Sequence, residues 1–361
     1  MRRVGILSFQ NTLNYGAVLQ NYALFRVAEG LGYAAEVINY RSQYIERNEY
    51  LKFSCKPRAV VNYFLLRKKA ALFNNFKRNI AFGPSCTRRN ISQKTASYDC
   101  VIVGSDQVWN TKITNSDPTF FLDFIDDPKR CKTYAASMGY GEMPPCDFNP
   151  RKLISHFSSI LVREKSAAKI IADECPEAPK PHVVLDPTLV LDKKIWDDIK
   201  VIPSFVANKP FVLVYDVSES DLAFDAAHCL VKESNAQVIR IQSYDFSSKP
   251  GVKSILNLSP TEFLGLFSCA EATVVSSFHG LCFSIINHRD FYYSGQIAGK
   301  NTNSRATDLM DALGISGRTV QDIFNGTVKP IDWDAVESRL STMKTESLRL
   351  LKESLYDVEE S

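Results

Sequence analysis

The stretch VGILSFQNTLNYGAVLQNYALFRVAEGLGYAAEVINY, residues 4–40, decides the fold. Val4-Gly5-Ile6-Leu7-Ser8-Phe9 is a short apolar run that reads as a buried strand, and residues 17–31 carry apolar side chains at helical spacing until Gly30 and Gly32 supply a stop. Residues 35–40, AEVINY, return as a second strand. Strand, helix and strand within so short a span make a βαβ unit, which requires a parallel sheet with a loop at its carboxyl edge. That loop is residues 10–16.

The same alternation continues along the chain. Strands are expected at residues 100–103, 133–137, 159–162 and 183–185, and the series closes at Asp186-Pro187-Thr188. Two prolines, Pro203 and Pro210, bracket an aperiodic connector, so a domain boundary is expected within 190–209. Strands at 211–216, 237–241, 272–275 and 291–293 then alternate with helices at 219–234, 261–270 and 279–287. A charged amphipathic helix over 333–355 ends the pattern. The expected domains are residues 1–195, residues 205–330 and a terminal helical segment, 331–361. A chain of 361 residues fits this reading, since single cores rarely grow past about 250–300 residues.

Composition narrows the function classes. Apolar residues make up 45% and charged residues 23%, too apolar for disorder, and no apolar run approaches the roughly 20 residues that cross a bilayer. The first residues do not read as a secretory leader. Nine cysteines without a C-x-x-C pair support neither a disulfide framework nor a zinc site, and suit a reducing cytoplasm. A net charge of +3 is too small to argue for nucleic acid, yet residues 51–98 hold eleven Lys or Arg and no Asp or Glu. Apolar residues alternate with Arg67, Lys68, Lys69, Lys77 and Arg78 there, as in a basic helix at an anionic lipid surface or on a solvated face beside a cleft.

Candidate chemistry lies where strands end, because ligands of open α/β sheets bind at the carboxyl edge. In Val103-Gly104-Ser105-Asp106-Gln107-Val108-Trp109-Asn110, Asp106 reads either as a helix cap or as a carboxylate that accepts a proton from a sugar hydroxyl. Trp109 beside it is expected to offer an apolar face to a sugar ring. The first loop puts Asn14 and Tyr15 ahead of a helix amino end, a natural anion or polyol site or a plain Asn/Gly turn. It lacks G-x-G-x-x-G, which disfavours a dinucleotide cofactor. Ser276-Ser277-Phe278-His279-Gly280 opens a helix, where the dipole favours phosphate and an imidazole suits proton transfer. Arg163, just past a strand, suits a carboxylate or phosphate, or an ion pair with Glu164. Lys300 and Arg305 follow a glycine-bearing loop and read either as closing over an anion in the same cleft or, for Arg305, as a surface residue on the next helix. No clustered carboxylate or histidine pattern calls for a metal.

Taken in order, NYGAVLQ, VGSDQVWN, YAASMG, VREKS, LDPTLVL and SSFHGLCFSI resemble the polysaccharide pyruvyl transferase family across nearly the whole chain. The resemblance implies an α/β, GT-B-like fold: two Rossmann-like domains facing across a cleft, with the C-terminal helix packing back on the first. It implies transfer of a pyruvyl group from phosphoenolpyruvate, a co-substrate rather than a cofactor, to a sugar acceptor of a polysaccharide or of its polyprenyl-phosphate-linked or nucleotide-linked precursor. Arg163 and His279 are implied to hold the donor's anionic groups, with Ser277, Gly280, Lys300 and Arg305 around them. Asn14, Tyr15, Asp106, Gln107 and Trp109 make the acceptor side, and His279 and Asp106 are the expected acid and base. Many family members carry an arginine where this chain has Ser277, so either the phosphate is held with less charge or Lys300 or Arg305 supplies it. Rival readings are a GT-B glycosyltransferase that uses a nucleotide sugar and a sugar-binding homologue without catalysis. Brief contact of residues 51–98 with the inner face of a membrane would suit a lipid-linked acceptor.

Overall fold

The structure is a computed structural model and describes residues 1–49, 57–206, 209–217, 220–232, 235–243, 247–295 and 304–356. Its first sheet holds β1 (Arg3–Leu7), β2 (Ala34–Val37), β3 (Cys100–Asp106), β4 (Cys131–Ala136), β5 (Leu161–Val162) and β6 (His182–Val183). They lie in the order β2-β1-β3-β4-β5-β6, and every neighbouring pair is parallel. The second sheet holds β7 (Phe211–Tyr215), β8 (Gln237–Ile241), β9 (Val252–Ile255), β10 (Ala272–Val275) and β11 (Asp290–Tyr293), ordered β11-β10-β7-β8-β9 and again parallel throughout. Central strands such as β3 and β7 are buried nearly end to end, which is why they read as continuous apolar runs.

Two helices meet at the seam between the sheets. The helix Tyr15–Gly30 is capped by Asn14, whose side chain accepts from the Ala17 amide at 3.2 Å. At its amino end the Tyr15 ring stacks on Phe263 with centroids 4.6 Å apart, and Phe263 lies on the helix Pro260–Cys269 beside the second sheet. The basic helix Pro57–Phe76 crosses the same seam. Its Phe73 packs 5.0 Å from the Tyr15 ring, and its Lys69 is buried with Nζ donating to the Ser243 carbonyl at 2.8 Å. One apolar cluster therefore runs through both halves. The last helix, Trp333–Tyr356, returns to the first half, where the Leu185 amide donates to the Ser347 hydroxyl at 3.0 Å. No helix among the described residues is long and apolar enough to cross a membrane.

Candidate active site

The carboxyl edges of β3, β5 and β6 deliver Asp106, Arg163 and Asp186 to one spot, and the turn after β10 brings His279 to it from the other sheet. Arg163 Nη1 donates to Asp186 Oδ2 at 2.9 Å, and its Nη2 lies 3.5 Å from Asp106 Oδ1. His279 Nε2 lies 3.5 Å from the same Asp186 oxygen. Asp186 also accepts from the Ser105 hydroxyl at 2.8 Å and, through Oδ1, from the Thr188 amide and hydroxyl at 3.0 and 2.7 Å. Burial alone would raise the Asp186 carboxyl, but His279 and Arg163 hold it well below the usual carboxylate range.

Both arginines of the cleft converge on one ring. Arg163 lies 4.6 Å and Arg305 5.9 Å from the Phe278 centroid, from the two halves of the molecule. With the Gln107 amide oxygen turned toward it, Arg305 donates to Gln107 from Nη2 and Nη1 at 3.2 and 3.3 Å. Burial and the charge of Arg163 push the Arg305 guanidinium down, whereas Asp186 and Asp106 outweigh burial and raise Arg163. A cavity of about 70 Å³ beside them is lined by Arg163, Asp186, Phe278 and Arg305. Two like charges kept together in a partly dry cleft are an anion-binding arrangement. Among the described residues, buried Arg163 Nε and Nη2 and His279 Nε2 form no hydrogen bond, which leaves polar groups in this region without a protein partner there.

Two glycines make the approach possible. A Cβ on Gly16 would sit 2.2 Å from His279 Nδ1, so only glycine lets the first helix meet the imidazole. At Gly104, φ is +152° and a Cβ would fall 1.9 Å from the Tyr134 carbonyl oxygen. That glycine lets β3 pass β4 closely before the chain delivers Asp106, itself at φ +82°.

A family model described as polysaccharide pyruvyl transferase matches residues 14–293, a span that contains every one of these groups except Arg305. The chain belongs to the polysaccharide pyruvyl transferase family. A search of curated proteins found no match. Among solved structures, this pyruvyl transferase family member is similar to the S. aureus MnaA–UDP co-structure, with TM-score 0.54, 10% identity and coverage of 99% of this chain and 96% of that one. It is also similar to UDP-GlcNAc 2-epimerase from Neisseria meningitidis bound to UDP-GlcNAc (TM-score 0.51, 10% identity, 99% and 100% coverage). A third is UDP-N-acetylglucosamine 2-epimerase from Rickettsia bellii (0.50, 11%, 97% and 96%). At such identities the likeness concerns the fold alone, which is GT-B-like.

Not every expected site residue of this family member faces the cleft. Trp109 is 0% exposed: its ring stacks on Phe121, and Nε1 donates to the Phe120 carbonyl, so it offers no face to a sugar. Tyr15 is likewise core, with its hydroxyl donating to the Leu258 carbonyl at 3.2 Å. Both belong to the scaffold, because an aromatic beside a polar turn packs as readily inward as outward. Asn14 and Ser277 act as helix caps, Ser277 accepting from the Gly280 amide at 3.5 Å, and Gly280 lies against Tyr215 and Val275. Glu164 accepts from the Met138 amide at 3.0 Å. Asp106 does not cap the next helix, which Asn110 caps instead. Lys300 lies outside the described residues. The residue that sequence reasoning missed is Asp186, read only as the close of the first series: its Oδ1 caps the helix Pro187–Val190, and its second carboxylate oxygen links Arg163 to His279.

Proposed function

We propose that the protein transfers a pyruvyl group from phosphoenolpyruvate to two hydroxyls of a sugar in a polysaccharide or its precursor, as a ketal, with release of phosphate. The convergence of Arg163 and Arg305 on Phe278, beside the Asp186–His279 pair, carries this reading. Phosphoenolpyruvate presents a carboxylate and a phosphate on adjacent positions, and two planar guanidiniums suit that pair of anions. Arg305 stands in the role that the charge missing at Ser277 leaves open.

In the reaction, one sugar hydroxyl attacks the carbon that bears the phosphate ester while the methylene carbon takes a proton and becomes a methyl group. A neighbouring hydroxyl then displaces phosphate at that carbon, and its proton leaves with the phosphate. His279, whose Nε2 lies 3.5 Å from Asp186, is assigned the proton and the phosphate contact; Asp106, partly exposed in the cleft, is assigned the hydroxyl proton. The reading places the enzyme in the cytoplasm. Brief contact with an anionic bilayer through Val61 and Phe64, exposed on the basic helix beside Arg67 and Lys68, would serve a lipid-linked acceptor.

Calorimetry with phosphoenolpyruvate, followed by phosphate release and mass spectrometry over a panel of lipid-linked and nucleotide-linked sugars, tests the proposal. Expected are binding, phosphate in step with a mass gain of pyruvate less water, and loss of both in Arg163→Ala and His279→Ala. No affinity for phosphoenolpyruvate, or release of a nucleotide in place of phosphate, would exclude it. Sedimentation with anionic vesicles checks the membrane contact, which predicts salt-sensitive binding that Phe64→Glu removes.

A further inference from the structure

A second, larger cavity opens on the carboxyl edge of the first sheet, away from the arginine pair. Its volume is about 590 Å³, within the range of small-molecule sites, and its walls include Arg41, Tyr44, Arg88, Arg89, Asn115 and Asp117. Val37 on β2 is level with Ile6 on β1, and Ile6 with Ile102 on β3. Tyr40 in this cavity and Ser105 beside Asp106 are each three residues further along, so the two places stand at one height on the sheet. Two strand spacings separate them, roughly 10 Å. The loop after β1 bridges that gap: Gln10 Nε2 donates to the Tyr40 carbonyl, and Asn11 Nδ2 donates to Glu46 Oε1 at 3.1 Å.

The electrostatics of the cavity select its ligand. Arg41 is paired with Glu46, and Arg88 is held bidentately by Asp123 at 2.9 and 2.6 Å. Those carboxylates fix the guanidinium planes and cancel their charge. Arg89 and Asp117, both in the wall, add one charge of each sign, and Asp117 Oδ2 accepts from the Tyr40 hydroxyl at 2.6 Å. The result is a roomy surface dense in hydrogen-bonding groups but close to neutral, with the Tyr44 ring 39% exposed at its rim. A phosphate site would keep an excess of positive charge, as the arginine pair on Phe278 does. A neutral wall of fixed donors and acceptors beside an exposed ring suits a hydroxyl-rich chain.

We infer that this cavity binds the acceptor saccharide beyond its reacting residue, so that the enzyme takes chains of two or more sugars rather than a single sugar. The inference rests on the pyruvyl-transfer reading for which sugar reacts, and on the cavity itself for chain length.

An array of defined mono- to hexasaccharides, probed with the full chain, tests it, with phosphoenolpyruvate calorimetry run on the same samples. The wild type is expected to retain chains of two or more residues. The double variant Tyr44→Ala, Arg89→Ala should lose at least tenfold in apparent affinity. Gln43→Trp, which fills the cavity from an exposed helix position, should do the same, and both variants should keep the wild-type response to phosphoenolpyruvate. Unchanged glycan binding in both variants, equal retention of monosaccharides, or no glycan bound at all overturns the inference. The expected glycan pattern without any phosphoenolpyruvate binding sinks the pyruvyl reading and leaves the saccharide cavity standing.

Discussion

Asp186 sets the electrostatics of the cleft because it is a fully buried carboxylate shared by a guanidinium and an imidazole. Its pKa is held below the unfolded value, so its stabilising contribution is fully present above the ordinary carboxylate range and is lost as pH falls through and below that range. Asp186→Asn keeps the shape but leaves Arg163 buried with one counter-ion fewer. Removing one partner of a buried pair typically costs about 3–5 kcal/mol. Urea unfolding at neutral pH should show a loss of that order, and a matching titration should show a shallower fall in stability below about pH 4 than in the wild type. An unchanged midpoint at neutral pH would rule out this role for Asp186. Gly16→Ala tests the contact on the other side of the imidazole. Alanine favours a helix over glycine by about 1 kcal/mol, which offsets part of the clash at Nδ1. Turnover is therefore expected to fall at least tenfold with the thermal midpoint little changed; normal turnover would show that the imidazole need not stay where Gly16 lets it sit. The sequence made Arg163, His279 and Asp106 legible because each follows a strand. It hid the link between them, since no local pattern says that the carboxylate at residue 186 reaches two other elements, and Trp109 and Tyr15, expected to face the acceptor, turn into the core because nothing local says which way an aromatic beside a polar turn packs.

Elements were read more surely than contacts. Buried parallel strands announce themselves as apolar runs, and ten of the eleven strands were placed to within a few residues on that signal alone or with their flanking turns. The strand β9, sequence VKSI, went unread because it is an edge strand whose Lys253 and Ser254 break the run. The start of the helix Ser304–Leu313 was also not drawn, although Arg305 had been allowed a place on a helix there. The basic helix Pro57–Phe76 shows why charge alone misleads. Its charge suggested one solvated or lipid-facing surface, yet Lys69 points inward and lies 4.5 Å from the Tyr15 ring centroid. A hydrogen bond to a charged group is worth about 1.5–3 kcal/mol, and Lys69→Ala should lose at least that, since the stem packing goes with it. Lys69→Met keeps the stem and should lose less. Differential scanning calorimetry on the pair separates the two contributions, and equal midpoints for wild type and Lys69→Ala would mean that this helix does not tie the halves together.

At the scale of the whole molecule, the arginine pair proposed to hold the donor forms only because the two halves meet: Arg163 comes from the first sheet's edge, Phe278 and Arg305 from the second half. Burial first, and the charge of Arg163 second, disfavour the charged form of Arg305, whereas Asp186 and Asp106 favour that of Arg163. On the proposed reading, a bound anion would offset both the burial and the charge of Arg163. Arg305→Gln removes the Arg305 charge while keeping a polar side chain opposite Gln107. The ligand-free variant should unfold at a higher temperature than the wild type. Its affinity for phosphoenolpyruvate, the proposed donor, should drop about 10- to 100-fold, since a charge-assisted hydrogen bond of roughly 1.5–3 kcal/mol is lost. The two effects must cross: wild type gains about 2.7 kcal/mol when ligand stands at a hundred times its dissociation constant, and the variant at the same concentration gains far less. Thermal unfolding of both proteins across a phosphoenolpyruvate titration reads the crossing directly. If Arg305→Gln lowers the ligand-free midpoint, the arginine pair is a structural tie between the halves and not a site kept strained for an anion.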